Sequence, residues 1–448
     1  MKLAILGGGG FRTPYIYREL LRDDVPFVEE VVLFDIDERR LHAMRAVLAQ
    51  LRDPRRDAPR ITTTTDARIA IAGASFVFAA IRVGGLEERR CDEHIALDLG
   101  VLGQETTGPG GIAFAIRTIP VMLSYARLVK ELAPDAFFLN FTNPAGIITE
   151  ALQSVLGDRV VGICDTPSGL IRRVAALLDV HPTEVSAEYV GLNHLGWLRA
   201  INYDGHDLLP ELIADDTRLN ALEEGQVFGL DWVRALGAIP NEYLFYYYFN
   251  REAVRSLLNA PFSRGDYLAR SQQELFARLD REPGMAARLW FEAVSDRNAS
   301  YMAEARGGMQ REDGSSEEDL LEKGYAGVAI GVMRAIVQGQ SATMILNVRN
   351  GSTIAGLPDD AVIEVPASVD SMGVHALPAA APDLDQLGLM QQVKAVERHA
   401  IAAAVHGDRS EALKAFALHP LVDSVSVGTH LLAGYLERIP GFAAAPAV

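Results

Sequence analysis

Cysteine is nearly absent: Cys91 and Cys164 are the only two in 448 residues. That excludes a disulfide framework and favours a reducing compartment. Runs of positive charge are missing as well. With 42 Lys+Arg against 59 Asp+Glu the formal net charge is −17, and no Lys/Arg cluster offers a footprint for a phosphate backbone, so a nucleic-acid partner is not expected. No apolar stretch reaches the roughly 18 uninterrupted residues of a spanning helix. The opening MKLAILGGGG is cut by four glycines after six residues, too early for a signal peptide, so no membrane association is expected and the cytoplasm is the expected location. There is no internal repeat and no low-complexity block. What remains is ordinary globular composition, with 49% hydrophobic and 23% charged residues. At roughly 150 residues per domain the length suggests two or three domains.

Strand and helix signals alternate through the first third. Residues 2–6 are an apolar run ending in Gly7–Gly10, and 15–22 then offers helical spacing. Further apolar runs follow at 31–35 (VVLFD), 76–83 (FVFAAIRV), 136–141 (AFFLNF) and 160–164 (VVGIC), with helical stretches such as 38–51 and 112–132 between them. Strands buried on both faces and alternating with helices predict a doubly wound parallel sheet. Beyond about Asp165 the texture becomes mainly helical, at 210–236, 271–291 and 383–403. Strands are expected at 185–190, 197–203, 343–347 and 362–365, a loop at 310–318 and a frayed tail at 442–448. The predicted class is therefore α/β: a Rossmann-type doubly wound domain over 1–165, then a mixed, mainly helical α+β domain over 166–448.

A glycine turn after the first strand lets the backbone approach a pyrophosphate, and the next helix N-terminus faces it with unpaired N–H groups. Asp35, about 25 residues on, stands where an acid accepts the adenosine ribose, and its charge favours NAD over NADP. The third glycine of G-x-G-x-x-G is missing, since Phe11 and Arg12 follow Gly10.

Four polar strings lie where a doubly wound sheet presents ligands: IRVGGLEERR (81–90), GQETTGPGG (103–111), NFTNPAG (140–146) and ICDTP (163–167). Arg82 and Arg89 supply fixed positive charge suited to phosphate. Cys164 closes an apolar strand and His194 sits in VGLNHLGW, and a thiolate with an imidazole makes a metal pair that leaves positions open for substrate. Inert packing is the alternative reading of each alone. The run NEYLFYYYF (241–249) is of the kind that forms core or interface. A tyrosine in it becomes a base only beside positive charge or a metal.

Taken in order along the chain, LGGGGFRTP, IRVGGLEERRCDEHIALDLGVLGQETTGPGG, NFTNPAG, ICDTP, GLNHLGW, NEYLFYYYF and NVRNGSTIAGLPDDAVIEVP resemble glycoside hydrolase family 4, the NAD- and divalent-metal-dependent glycosidases. RVGGL, GQETTG and GLNHLGW are most similar to its 6-phospho-β-glucosidases. The resemblance implies a lactate/malate dehydrogenase-like fold and a homodimer or homotetramer. It implies a phosphorylated disaccharide or glucoside as substrate, with manganese as the usual metal. Gly8, Gly9, Phe11, Arg12 and Arg82 would bind the cofactor, with Asp35 on its ribose. Arg89 and Asn143 would hold the sugar and its 6-phosphate, Cys164 and His194 the metal, with Asn193 beside them on the substrate. Tyr243 corresponds to the base, although Tyr246 and Tyr247 are close in register, and Glu105 to a site acid whose role stays open. Asp165 follows the metal cysteine as in the 6-phospho-α-glucosidases, where it would be the general acid; the β-enzymes carry Asn there, and Thr166 fits neither pattern. The implied route is oxidation of C3 by NAD, removal of the C2 proton, elimination at C1, water addition and re-reduction, in place of the usual carboxylate pair. A hydroxy-acid dehydrogenase and an NAD-binding sensor are the rival readings from other classes.

Overall fold

The computed structural model describes residues 1–22, 26–52, 57–299, 324–439 and 442. Six parallel strands open the chain: β1 (Lys2–Leu6), β2 (Glu30–Phe34), β3 (Arg60–Thr64), β4 (Phe76–Ala79), β5 (Phe137–Asn140) and β6 (Val160–Gly162). Their order β3-β2-β1-β4-β5-β6 is that of a doubly wound dinucleotide fold. Helices α1 (Thr13–Leu21), α2 (Glu38–Leu51), α3 (Ala67–Ile71), α4 (Gly85–Asp98), α5 (Pro109–Leu132) and α6 (Ala145–Leu156) connect them, and α7 (Thr166–Leu177) follows β6.

The period of two along each strand sorts its side chains to opposite cores. Leu3 and Ile5 of β1 join a cluster with Val31, Phe78 and Leu139, whereas Ala4 and Leu6 join Val32, Val77 and Phe138. The second cluster is capped by α5 and by helices Leu384–His406 and Arg409–Ala417. Helix α5 is long and apolar enough to cross a membrane by composition, yet it lies mostly buried because protein covers both its sides.

The later strands do not start a new sheet. β7 (Ser186–Leu192), β8 (Leu195–Tyr203), β9 (His206–Asp207), β10 (Ile239–Pro240), β11 (Ala342–Arg349), β12 (Val362–Asp370) and β13 (Gly373–Ala376) pair antiparallel. Asn347 of β11 pairs with Gly162 of β6, which makes one sheet of 13 strands among the described residues.

Several sequence expectations are corrected. The helix expected at 210–236 is four short ones, because Asp215 caps a new start at Thr217 and Arg218 and Gly229 turns at φ 80°. The 271–291 stretch breaks at Pro283 into helices Arg264–Arg281 and Ala286–Ala299. The strand expected over 76–83 stops at Ala79, and the residues beyond form a turn through Gly84 at φ 81°. β3 was not anticipated. Phe442 is no frayed end, since it is buried against Phe416 and Tyr435; residues 443–448 and the 310–318 loop lie outside the described residues.

Candidate active site

The turn 7–12 leaves β1 and enters α1. Gly7 and Gly8 donate to the Phe34 carbonyl (2.9 and 2.7 Å), which seats the turn on β2. Gly9 N–H donates to Asp35 Oδ2 (3.1 Å), and a Cβ on Gly9 would come within 2.9 Å of that oxygen. Gly9 therefore serves the close approach of the turn to Asp35 and Gly8 its approach to Leu33 of β2, while Gly7, Gly10, Phe11 and Arg12 line the cleft. Asp35 Oδ1 accepts from Asp37 N–H (3.1 Å), and burial raises the Asp35 pKa. Trp290 Nε1 donates to the Phe11 carbonyl (3.0 Å) inside a third apolar cluster, which locks the turn from outside. No side chain caps α1; Thr13 and Tyr15 N–H donate to the Gly10 and Arg12 carbonyls (3.2 Å each) and Pro14 has no N–H, so the unpaired N–H groups expected at this helix start are taken up locally and what it offers an anion is its dipole. The cleft measures about 650 Å³ and also meets Asp35 and Arg82, a volume and donor set that fit a dinucleotide.

A second cavity of about 230 Å³ shares Phe11, Arg12, Arg89, Glu105 and Asn143 with the first. Here Arg89 is almost fully buried. It donates to Glu93 Oε1 (2.9 Å) and Glu105 Oε2 (2.6 Å), and Arg82 pairs with the same Glu105 oxygen. Burial opposes the Glu105 charge, but Arg89, Arg82, Arg297 and Arg12 outweigh it and hold the carboxyl below its ordinary range. Glu105 is thus an ionised anchor for arginines rather than a proton donor. Arg12 lies over the rings of Phe141 (4.6 Å) and Tyr325 (4.8 Å). Arg264 and Arg297, which the sequence did not single out, complete a positive wall on this cavity. Loss of solvent, then Arg12 and Arg264, lower the Arg297 pKa to about 9. An anion seated there would relieve that crowding.

Cys164, Asp165 and His194 meet on the same cavity although their sequence separation is up to 30 residues. Cys164 and Asp165 stand just past β6, at the carboxyl edge of the parallel sheet. His194 occupies the two-residue turn between β7 and β8 at φ 63°, an uncommon backbone state for a non-glycine residue. Burial lowers its pKa to about 4, so the ring is neutral and keeps a lone pair. The Cys164 thiol is pushed well up by burial, then by Glu364 and Asp165, so thiolate formation needs a compensating cation. A thiol and a neutral imidazole fit a transition-metal ion with open positions for substrate oxygens. Among the described residues no group of three or more His, Cys, Asp or Glu side chains is arranged to hold a metal ion by itself, so the protein side of the site would be this pair. Asn193 turns away from this cavity: its amide donates to Glu364 Oε1 (3.1 Å), and it borders a cavity of about 30 Å³ on the other side of His194.

Sequence reasoning missed Glu364. It lies fully buried on β12 and accepts from Asn193, from Asn347 (2.9 Å) and from Tyr189 (3.3 Å). Burial raises its pKa to about 7, against the lowering effect of those three donors. An isolated acid in a strand pattern, AVIEVP, was its only sequence signal. The tyrosines of 243–248 separate by environment. Tyr243 and Tyr246 line the cavity; Tyr247 stacks on His419, and Tyr248 accepts from Trp197 Nε1 (3.0 Å).

Residues 2–180 match the model of the family 4 glycosyl hydrolases, and residues 189–422 match that family's C-terminal domain. A Bacillus subtilis protein named "Probable 6-phospho-beta-glucosidase" is 32% identical over 98% of this chain and 96% of its own length. The 6-phospho-beta glucosidase of Thermotoga maritima, solved with manganese, NAD+ and glucose-6-phosphate, superposes with a TM-score of 0.82 at 28% identity, covering 99% of each chain. A 6-phospho-alpha-glucosidase from gut microorganisms, solved with NAD and Mn2+, gives 0.81 at 28%, covering 98% of each. Malate dehydrogenase of Plasmodium falciparum shares the fold alone, at a TM-score of 0.51 and 12% identity. Matches that together run through nearly the whole sequence show that this chain belongs to family 4 of the glycosyl hydrolases.

Proposed function

We propose that this enzyme hydrolyses 6-phosphorylated β-glucosides, using NAD and a divalent cation, manganese. The observation that carries the reading is the shared wall of the two cavities: a dinucleotide-sized cleft opens onto a smaller pocket holding Cys164, His194, Tyr243 and an arginine wall. When bound, NAD supplies a reversible hydride acceptor for C3 of the sugar, and the cation supplies positive charge beside the C2 and C3 oxygens.

The residues divide the work. Gly7, Gly10, Phe11, Arg12, Asp35 and Arg82 would hold NAD, with Gly8 and Gly9 shaping the turn, and Cys164 and His194 would hold the cation. Arg89, Asn143, Arg264 and Arg297 would receive the phosphate and orient the ring from a distance. Tyr243 would take the C2 proton, and the positive charge of Arg89 beside it favours the phenolate. Departure of the C1 substituent, addition of water at C1 and return of hydride to C3 then complete the turnover. We also read residues 1–165 and 166–448 as the cofactor and substrate domains, and a homodimer or homotetramer in the cytoplasm as the working form.

Asp165 favours a second reading, a 6-phospho-α-glucosidase with this carboxyl protonating the leaving oxygen. Relatives of both specificities resemble the chain along its length. Release of p-nitrophenol from the β- and α-anomers of p-nitrophenyl glucoside 6-phosphate, with and without NAD, in manganese and a mild reductant, decides between them. The β-anomer alone, only with NAD, is expected; release from the α-anomer alone would transfer the assignment to the second reading.

A further inference from the structure

The string GQETTG serves two different centres. Glu105 turns to Arg82 and Arg89, whereas Thr106 turns to His194 and the Gln104 side chain folds back onto Thr106. We propose that Gln104 and Thr106 are positioning residues that fix the ring tautomer of His194, placing its proton on Nδ1 and leaving Nε2 bare for a divalent cation. This rests on the reading of Cys164 and His194 as the metal pair.

Four hydrogen bonds in sequence set the polarity. The Gln104 side-chain Oε1 accepts the backbone N–H groups of Thr106 (2.6 Å) and Thr107 (2.7 Å). A backbone N–H only donates, so this atom is the amide oxygen and the side chain cannot be flipped. The Thr106 hydroxyl donates its single proton to that oxygen (3.1 Å). Toward His194 Nδ1, 3.2 Å away, the hydroxyl is therefore left only its lone pairs. Nδ1 must donate, and a neutral imidazole has one proton to give, so Nε2 carries none.

Neither end of this relay has room to move. Gly110 and Gly111 at the start of α5 pack beneath the carbonyls of Gln104 and Thr106, where a Cβ would come within 2.3 Å of each oxygen. The imidazole is held by its stack on Tyr243 and by the left-handed backbone of its turn. The orientation of a ligating histidine is commonly set by a partner on its other nitrogen, and here that partner is a threonine polarised by a glutamine.

Cobalt(II) is the probe, added to the full-length metal-free enzyme with NAD present, and the thiolate-to-cobalt charge-transfer band in the near ultraviolet reports binding. Thr106→Val should raise the cobalt dissociation constant roughly 10–100-fold, while Thr106→Ser stays within about threefold of wild type and NAD affinity is unchanged. Wild-type cobalt affinity in Thr106→Val overturns the proposal. An undiminished band in Cys164→Ser overturns the metal reading instead, and the proposal with it. Should Thr106→Val not fold, nitrogen-15 NMR of the wild-type metal-free enzyme, with His194 assigned by its absence in His194→Gln, still decides. A proton on Nδ1 is expected, and one on Nε2 contradicts the proposal.

Discussion

The imidazole of His194 and the phenol ring of Tyr243 lie face to face, 3.7 Å between centroids and 2° from parallel. The stack fixes the proposed base against a proposed metal ligand, so proton removal and charge stabilisation act at adjoining points of one substrate. Tyr243→Phe preserves the stack and deletes the proton acceptor. Its kcat should fall about 10²–10⁴-fold with metal and NAD affinities retained. Steady-state kinetics beside cofactor titrations check this, and wild-type turnover would move the role to Tyr246, the other tyrosine of the run on the cavity.

Cys164→Ser should remove most metal-dependent activity while NAD affinity stays nearly intact, because Cys164 borders the smaller cavity and not the nucleotide cleft. Turnover at the wild-type rate from this variant would sink the metal assignment.

Glu105→Gln strips a shared carboxylate from Arg82 and Arg89. Breaking a buried ion pair from one side costs about 3–5 kcal/mol, because the partner charge stays buried. Arg89 keeps Glu93, so the loss should lie toward the lower end. Urea midpoints for the two proteins measure it. An unchanged midpoint would show that the arginines find other partners.

His419 gives a pH signature. It is buried, its Nδ1 accepts from Leu421 N–H (3.1 Å), and burial lowers its pKa to about 3 from 6.5. Below about pH 6 the unfolded chain takes up this proton and the folded chain does not, so stability falls as pH falls. The contribution approaches about 1.4 kcal/mol per pH unit. Its window runs from the unfolded value down to the folded one. His419→Gln should flatten the acid limb of unfolding free energy between pH 6 and 4 relative to wild type, and parallel limbs would refute it.

Much of this was legible in the sequence because short, continuous signals carry it. The run KLAIL before four glycines, VVLFD ending on Asp35, and the helix Glu38–Leu51 each encode one element within one window. Asp37 also caps that helix, accepting from Arg39 and Arg40 N–H. Arg264, Arg297 and Glu364 were not legible, since nothing local distinguishes an arginine on a helix or an acid in a strand. They gain meaning only when helices Arg264–Arg281 and Ala286–Ala299 close over Phe11, and when β12 brings Glu364 beside Asn193 and Asn347. The antiparallel extension of the sheet was hidden for the same reason: the Asn347–Gly162 pairing spans 185 residues. The tyrosine register could not be read from adjacency, because Tyr243 on the 3-10 turn Glu242–Leu244 and its neighbours on the short helix Phe245–Tyr248 face different surroundings.

On the proposed route glycosidic cleavage proceeds through loss of the C2 proton. That loss is tested most directly by running the reaction in deuterium oxide with NAD and manganese and examining the glucose 6-phosphate released. Deuterium is expected at C2 of the product, introduced when the proton taken by Tyr243 exchanges with solvent. Full turnover with hydrogen retained at C2 would contradict this route and point to direct displacement at C1.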